Sequence, residues 1–219
     1  MKTINTAVLL AGALTFSATA HAITLGITPS ATMLTVGDSL SAEVVVSGLG
    51  DFAPPSLSVF DLNITFTPTT FGFTGVSFGS FLGDLGLGEA FSIEDTSIPG
   101  IVNLVEVSWL EADGTTCFFC IPPYLDDIQP ASFVLATLMF DVLSPGPSDL
   151  TLSLNNNTPL GDGFGDPLPE VTIAAGPLIT VQSGSQIPEP ATISLLAFGM
   201  ALLGFRGISR GTQGNLNLC

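Results

Sequence analysis

Through the middle of the chain, apolar and polar residues alternate almost one by one. Leu40, Ala42, Val44 and Val46 alternate with Ser41, Glu43 and Ser47. Phe60, Leu62, Ile64 and Phe66 alternate with Val59, Asp61, Asn63 and Thr65, and Ile101 to Trp109 repeats the pattern less cleanly. Successive side chains of a strand point to opposite faces, so period two predicts half-buried strands. Residues 133–143 form a nearly continuous apolar run, which predicts a central strand covered on both faces or at its ends. Leu150, Leu152 and Leu154 alternate again, and residues 171–181 supply a closing strand or strands. Turn chemistry separates these runs at Gly37-Asp38, 48–55, Thr67-Pro68, 97–100, 144–147 and 162–167. No stretch between them carries convincing helical spacing. Short strands at such intervals predict an all-β sandwich or jelly roll.

Two stretches depart from the alternation, one at each end. Near the start, Lys2 precedes an apolar run at 7–16 and the small-residue series SATAHA. That layout predicts a secretory signal peptide over 1–22, with Ala20 and Ala22 flanking His21 as the cleavage motif. The apolar core is too short for a first transmembrane helix. The expected mature chain begins near Ile23.

Near the other end, Pro188-Glu189-Pro190 precedes an uninterrupted apolar run at 191–205, and Arg206 and Arg210 follow. A cation-flanked apolar run reads as a transmembrane helix whose basic end stays cytoplasmic. At about 1.5 Å per residue it reaches only about 22 Å, against a hydrocarbon core of about 30 Å. A polar tail, 211–219, completes the chain. The order of Pro-Glu-Pro, apolar helix and arginine resembles the PEP-CTERM sorting signal of bacterial envelope and exopolysaccharide proteins, here over 187–210. The resemblance implies export across the inner membrane and anchoring by the C-terminal helix. It also implies processing near Pro188-Glu189-Pro190 by an exosortase-type membrane enzyme, and delivery to the cell surface. Whether the helix is then removed or retained stays open.

Charge changes the picture of the middle piece, residues 23–186. The basic residues of the whole chain are Lys2, Arg206 and Arg210, and its single histidine is His21. The middle piece therefore holds 19 − 1 = 18 of the acids, all but Glu189, and no side-chain cation. Such a domain repels phosphate backbones, which excludes nucleic acid, and finds anionic lipid unattractive. Without His, the usual Ser-His-Asp and Cys-His sites cannot be built, and without Lys or Arg neither phosphoryl clamps nor Schiff bases can be. Carboxylates, hydroxyls and cysteines remain.

The pieces TVGDSLSAEVVVSGL (35–49), SVFDLNITFTP (58–68), FVLATLMFDVL (133–143) and LGDGFGDPLP (160–169) together resemble the cohesin-like domain, which is related to some carbohydrate-binding modules. The resemblance implies an antiparallel jelly-roll β-sandwich of about nine strands. It also implies a non-catalytic binding role, toward a polysaccharide or a matrix protein. The expectation is thus a surface-sorted, non-enzymatic binding or structural module of an extracellular matrix.

The alternative is a carboxylate glycoside hydrolase, which needs two acids about 5–10 Å apart. Its candidates are Glu106, Glu111 and Asp113 around Trp109, or Asp126 with Asp127. The plain account of all five is solvated strand and loop acids. No cofactor is expected, with one candidate for Ca2+: the oxygen-rich stretch with Asn157, Asp162 and Asp166, whose letters a polar hairpin also explains. Cys117 and Cys120, in TTCFFCIPP, predict a local disulfide in an oxidising compartment. It staples a loop whose Phe118, Phe119, Ile121 and Tyr124 form a candidate apolar contact surface, unless they fold back onto the sandwich.

Overall fold

A computed structural model describes residues 22–115, 120–155, 160–168 and 170–184. The expected signal peptide apart from Ala22, the sorting segment and both flanking helices lie outside the described residues. What is described is almost all strand: β1 (Ile23–Pro29), β2 (Met33–Thr35), β3 (Ser39–Ser47), β4 (Leu57–Thr65), β5 (Phe71–Phe78), β6 (Ala90–Asp95), β7 (Ile101–Ser108), β8 (Ser132–Val142), β9 (Gly146–Asp149), β10 (Thr151–Leu154), β11 (Gly161–Asp162), β12 (Val171–Ile173) and β13 (Leu178–Gln182), with one helical turn, α1 (Leu125–Ile128), before β8.

One sheet has the order β12-β1-β3-β8-β5, and the other β10-β4-β7-β6 with β11 also on β4; β2-β13-β9 forms a small third sheet. The two larger sheets face each other across one apolar core. Seven strands reach six residues or more; the rest are short pieces of two to five residues, which is why the count exceeds nine. Pairing is antiparallel except at β1–β12 and β2–β13, where early and late strands run parallel.

The alternation works as expected in β3, whose Leu40, Ala42, Val44 and Val46 are buried. The long apolar run behaves differently. β8 lies between β3 and β5, but its outer side is open, with Met139 45% exposed. The run looks continuous because the pairing with β3 slips between Val44 and Val45. That bulge changes the phase and sends both Leu135 and Ala136 inward. The expected turn at 144–147 is half strand, since Gly146 and Pro147 open β9 and pair with β13. Pro147 is tolerated there because β9 is an edge strand.

Turn residues set how β6 hands over to β7. Ile101 N–H donates to the Ile98 carbonyl at 3.1 Å, with Pro99 and Gly100 between them and Gly100 at φ +82°. Proline first and a positive-φ glycine second make a type II turn. At the opposite end, Gln129 extends the backbone ladder with its side chain. Its Nε2 donates to the carbonyls of Leu57 (2.7 Å) and Phe81 (2.9 Å), and its Oε1 accepts from Leu57 N–H at 2.7 Å.

Aromatic packing concentrates around Phe140 of β8, whose ring centroid lies 5.2 Å from Phe66, 6.0 Å from Phe71 and 5.7 Å from Phe73. Phe140→Ala is expected to cost about 3–5 kcal/mol, since it removes both the transfer energy and the contacts of a fully enclosed ring. Urea unfolding measures this, and Phe140→Leu should lose markedly less.

Candidate functional site

The outer face of β10-β4-β7-β6 gathers the residues most unlike an ordinary solvated surface. The register places Phe91, Val107 and Val59 side by side across β6, β7 and β4, and Ile93, Val105 and Asp61 in the next row. Asp95, Asn103 and Asn63 follow, with Ser153 of β10 beyond Asn63. Phe91 is 52% exposed and Ile93 44%, and Trp109, one residue past β7, is 67% exposed. β6 therefore shows Phe91 and Ile93 to solvent and turns Ala90, Ser92 and Glu94 the other way, the reverse of a strand that only closes a core. An apolar band of this kind marks an interaction surface.

Beside the band lies an amide cluster. Asn103 Nδ2 donates to Asp61 Oδ1 (2.6 Å), Asn63 Oδ1 (3.0 Å) and the Leu62 carbonyl (3.2 Å). Asn155 Nδ2 donates to Asp61 Oδ2 at 3.1 Å, and its backbone N–H to the Asp61 carbonyl at 3.0 Å. Asp61 is thereby buried on the outward side of β4, with amides in place of a cation. At the edge of the face, Asp95 is held below the ordinary carboxylate range by hydrogen bonds from Ser97, first its backbone N–H and then its side chain.

Directly behind the band is Glu106. On β7 the inward positions are Val102, Leu104, Glu106 and Ser108, and Glu106 is fully enclosed. Neither carboxyl oxygen has a hydrogen-bond partner. Loss of water alone pushes its pKa up to about 8, so the group is neutral at pH 7.

The other expected residues are dispersed. Strand alternation puts Glu106 inside the sandwich while Trp109 is exposed outside it, and Glu111 and Asp113 follow in the loop beyond β7. Glu111 is exposed, and Asp113 accepts from Thr115 N–H and its hydroxyl, both at 2.8 Å. Asp126 is buried with Oδ1 unpartnered, and its neighbour Asp127 is exposed. Asp162 Oδ1 accepts from the N–H groups of Phe164 (2.9 Å) and Asp166 (2.8 Å), and Asp162 N–H donates to the Asp166 carbonyl at 2.8 Å. That loop closes on itself as a hairpin. Asn157 lies outside the described residues. Cys120 is disulfide-bonded, while Cys117, Phe118 and Phe119 lie outside the described residues. Ile121 is 82% exposed, whereas the Tyr124 hydroxyl turns back to donate to the Cys120 carbonyl at 3.0 Å. The outward face is hard to see in the sequence because each of its residues looks ordinary alone. Phe91-Ser92-Ile93 is the one available signal, and it does not say which side is inward.

Residues 186–210 match the family model for the PEP-CTERM protein-sorting motif. The chain carries a PEP-CTERM sorting signal. No curated protein matches the chain. Among solved structures, a type II cohesin domain from the cellulosome of Acetivibrio cellulolyticus superposes with a TM-score of 0.54 at 17% identity, covering 72% of this chain and 95% of that one. The cohesin of the Coh-OlpA-Doc918 cohesin–dockerin complex of Clostridium thermocellum gives 0.53 at 12% identity, covering 74% and 99%. The sixth cohesin of scaffoldin B from Acetivibrio cellulolyticus, solved with a Cel5 dockerin, gives 0.52 at 15%, also covering 74% and 99%. The described residues thus form a cohesin-like all-β sandwich, a likeness of fold. Among the described residues no helix is long and apolar enough to cross a membrane; residues 191–205 lie outside them.

Asn103→Ala removes the donor shared by Asp61 and Asn63 and should cost about 1–3 kcal/mol in chemical unfolding, with Asn155→Ala costing less because its backbone bond survives.

Proposed function

We propose that this is an exported, surface-directed, non-catalytic recognition module that docks a protein partner on the outer face of β6, β7, β4 and β10. The observation that carries this is the band of Phe91, Ile93 and Trp109 over Val105 and Val107, flanked by the Asp61–Asn103–Asn155 amide cluster. Aromatic and aliphatic anchors beside satisfied polar groups are the anatomy of a protein-binding patch. The cohesins in two of the structures named above are bound to dockerins, which supports a protein rather than a polysaccharide as partner. With 18 acids and no cation in the sandwich, the fitting partner presents an apolar patch rimmed by Lys or Arg. A hydrolase gains no support, since Glu106 is enclosed in the core while Glu111 is exposed in the loop after β7.

In this proposal residues 1–22 direct export, with cleavage at Ala20-His21-Ala22 leaving β1 at the mature N-terminus. The sandwich is the working domain, 23–186. Residues 187–210 hold it at the membrane through the helix at 191–205, until an exosortase-type enzyme acts near Pro188-Glu189-Pro190. The short polar tail, 211–219, stays with that segment. The module then serves the cell surface or its extracellular matrix.

A photo-cross-linking residue at Phe91 or Trp109 should capture a discrete protein on intact cells, and one at Glu43, exposed on the opposite sheet, should not. Equal labelling from both faces, or selective glycan-array binding that Trp109→Ala abolishes, overturns the protein reading. Mass spectrometry of the mature protein checks processing: an end near Pro188 is expected, and an intact Cys219 contradicts it.

A further inference from the structure

β7 runs between β4 and β6, and its outward Val105 and Val107 form the middle of the docking band. Between them, pointing the other way, is Glu106. Its cross-strand neighbours are Phe60 on β4 and Ser92 on β6, and neither gives it a hydrogen bond. The Phe60 ring stacks on Phe78 of β5, 6.4 Å between centroids, so the interior there is aromatic.

No charged group answers this carboxyl. On β4, Asp61 alternates to the outer face and is held by amides. On β6, Glu94 shares the inward side but is exposed at the strand end. The buried inward positions of β3 and β8 are apolar, and their acids Glu43 and Asp141 are exposed. On α1, Asp126 is buried and Asp127 exposed. The described residues include no Lys, Arg or His. A neutral carboxylic acid can be packed in such a place at moderate cost; an isolated carboxylate cannot.

We infer that Glu106 is a proton-operated brace for the docking face. Protonated, it is a neutral filler beneath Val105 and Val107 that keeps β7 seated between β4 and β6. When it gives its proton to solvent, the bare carboxylate draws water into the interior, β7 loosens, and the band loses its shape. The face is then tight at acid and neutral pH and relaxed in alkali. Its biological meaning rests on the docking reading; the physical switch does not.

The direction follows from proton counts. Unfolded, Glu106 ionises near 4.5; folded, near 8. Between those values the folded state holds the extra proton, so the folding constant falls by up to about tenfold per pH unit and then levels off. Trp109 is the only tryptophan and stands three residues from Glu106. With the full chain in non-ionic detergent, acrylamide quenching of Trp109 is followed from pH 5.5 to 9.5. Wild type should show a rise centred near pH 8, Glu106→Gln a flat profile, and Asp126→Asn an unchanged rise. A flat wild-type profile, or a rise that survives in Glu106→Gln, overturns the inference. Should Glu106→Gln fail to fold, Glu106→Leu provides the same uncharged comparison. The quenching readout needs no partner. A flat profile with face-specific cross-linking intact sinks the brace alone; lost cross-linking with the rise retained sinks the docking face alone.

Discussion

Between residues 22 and 184, every carboxylate is folded with no Lys, Arg or His to meet it. Amides take that place. Thr35 N–H reaches Asp38 at 2.7 Å, Gly86 N–H reaches Asp84 at 2.7 Å, and Asp84 N–H reaches Glu89 at 2.9 Å. The same use of amides closes the Asp162 loop and shelters Asp61. Each such bond spends an acid on shaping a turn or a face, so charge that cannot be neutralised still fixes geometry. Salt screens long-range repulsion among the acids but leaves these short contacts in place.

That constraint separates the two sides of the β10-β4-β7-β6 sheet. Outside, amides are available, and a covered acid such as Asp61 accepts hydrogen bonds from Asn103 and Asn155. Inside, none reaches Glu106, and the only remaining way to hold the residue is to keep its proton. The candidate face thus lies on a sheet whose front is set by hydrogen bonds and whose back is set by protonation. Its apolar band needs both, because Val105 and Val107 are placed by the strand that carries Glu106.

Strand existence was legible where alternation was clean, as in β3 and β4, and also in the less regular β7. It failed at β5, where Gly72 and Gly75 and a slipped register between Phe73 and Gly75 interrupt the period. It failed at β6 for a more useful reason: Phe91 and Ile93 point outward, and a pattern cannot say which of its faces is the core. The chemistry of absence was fully legible, since lacking His, Lys and Arg is a property of composition. Which acid would be enclosed was not. Glu106 stands in VNLVEVSW looking like any polar residue of a two-faced strand, and only the sheet's orientation turns it inward.

Strand order also carries a consequence for how the domain comes into being. β1 is held on one side by β3 and on the other by β12, pairing Ile23 with Val171 and Leu25 with Ile173. β2 likewise waits for β13, with Met33 meeting Thr180. A chain that emerges N-terminus first cannot close either sheet until nearly all of it is out. Contacts so distant in sequence are slow to form, and strand edges stay open meanwhile. The surplus of acids keeps such half-made sheets of neighbouring chains apart during that wait. Completion of the last strand then leaves only a few residues between Gln182 and Pro188, so the sandwich becomes whole just as the sorting signal appears.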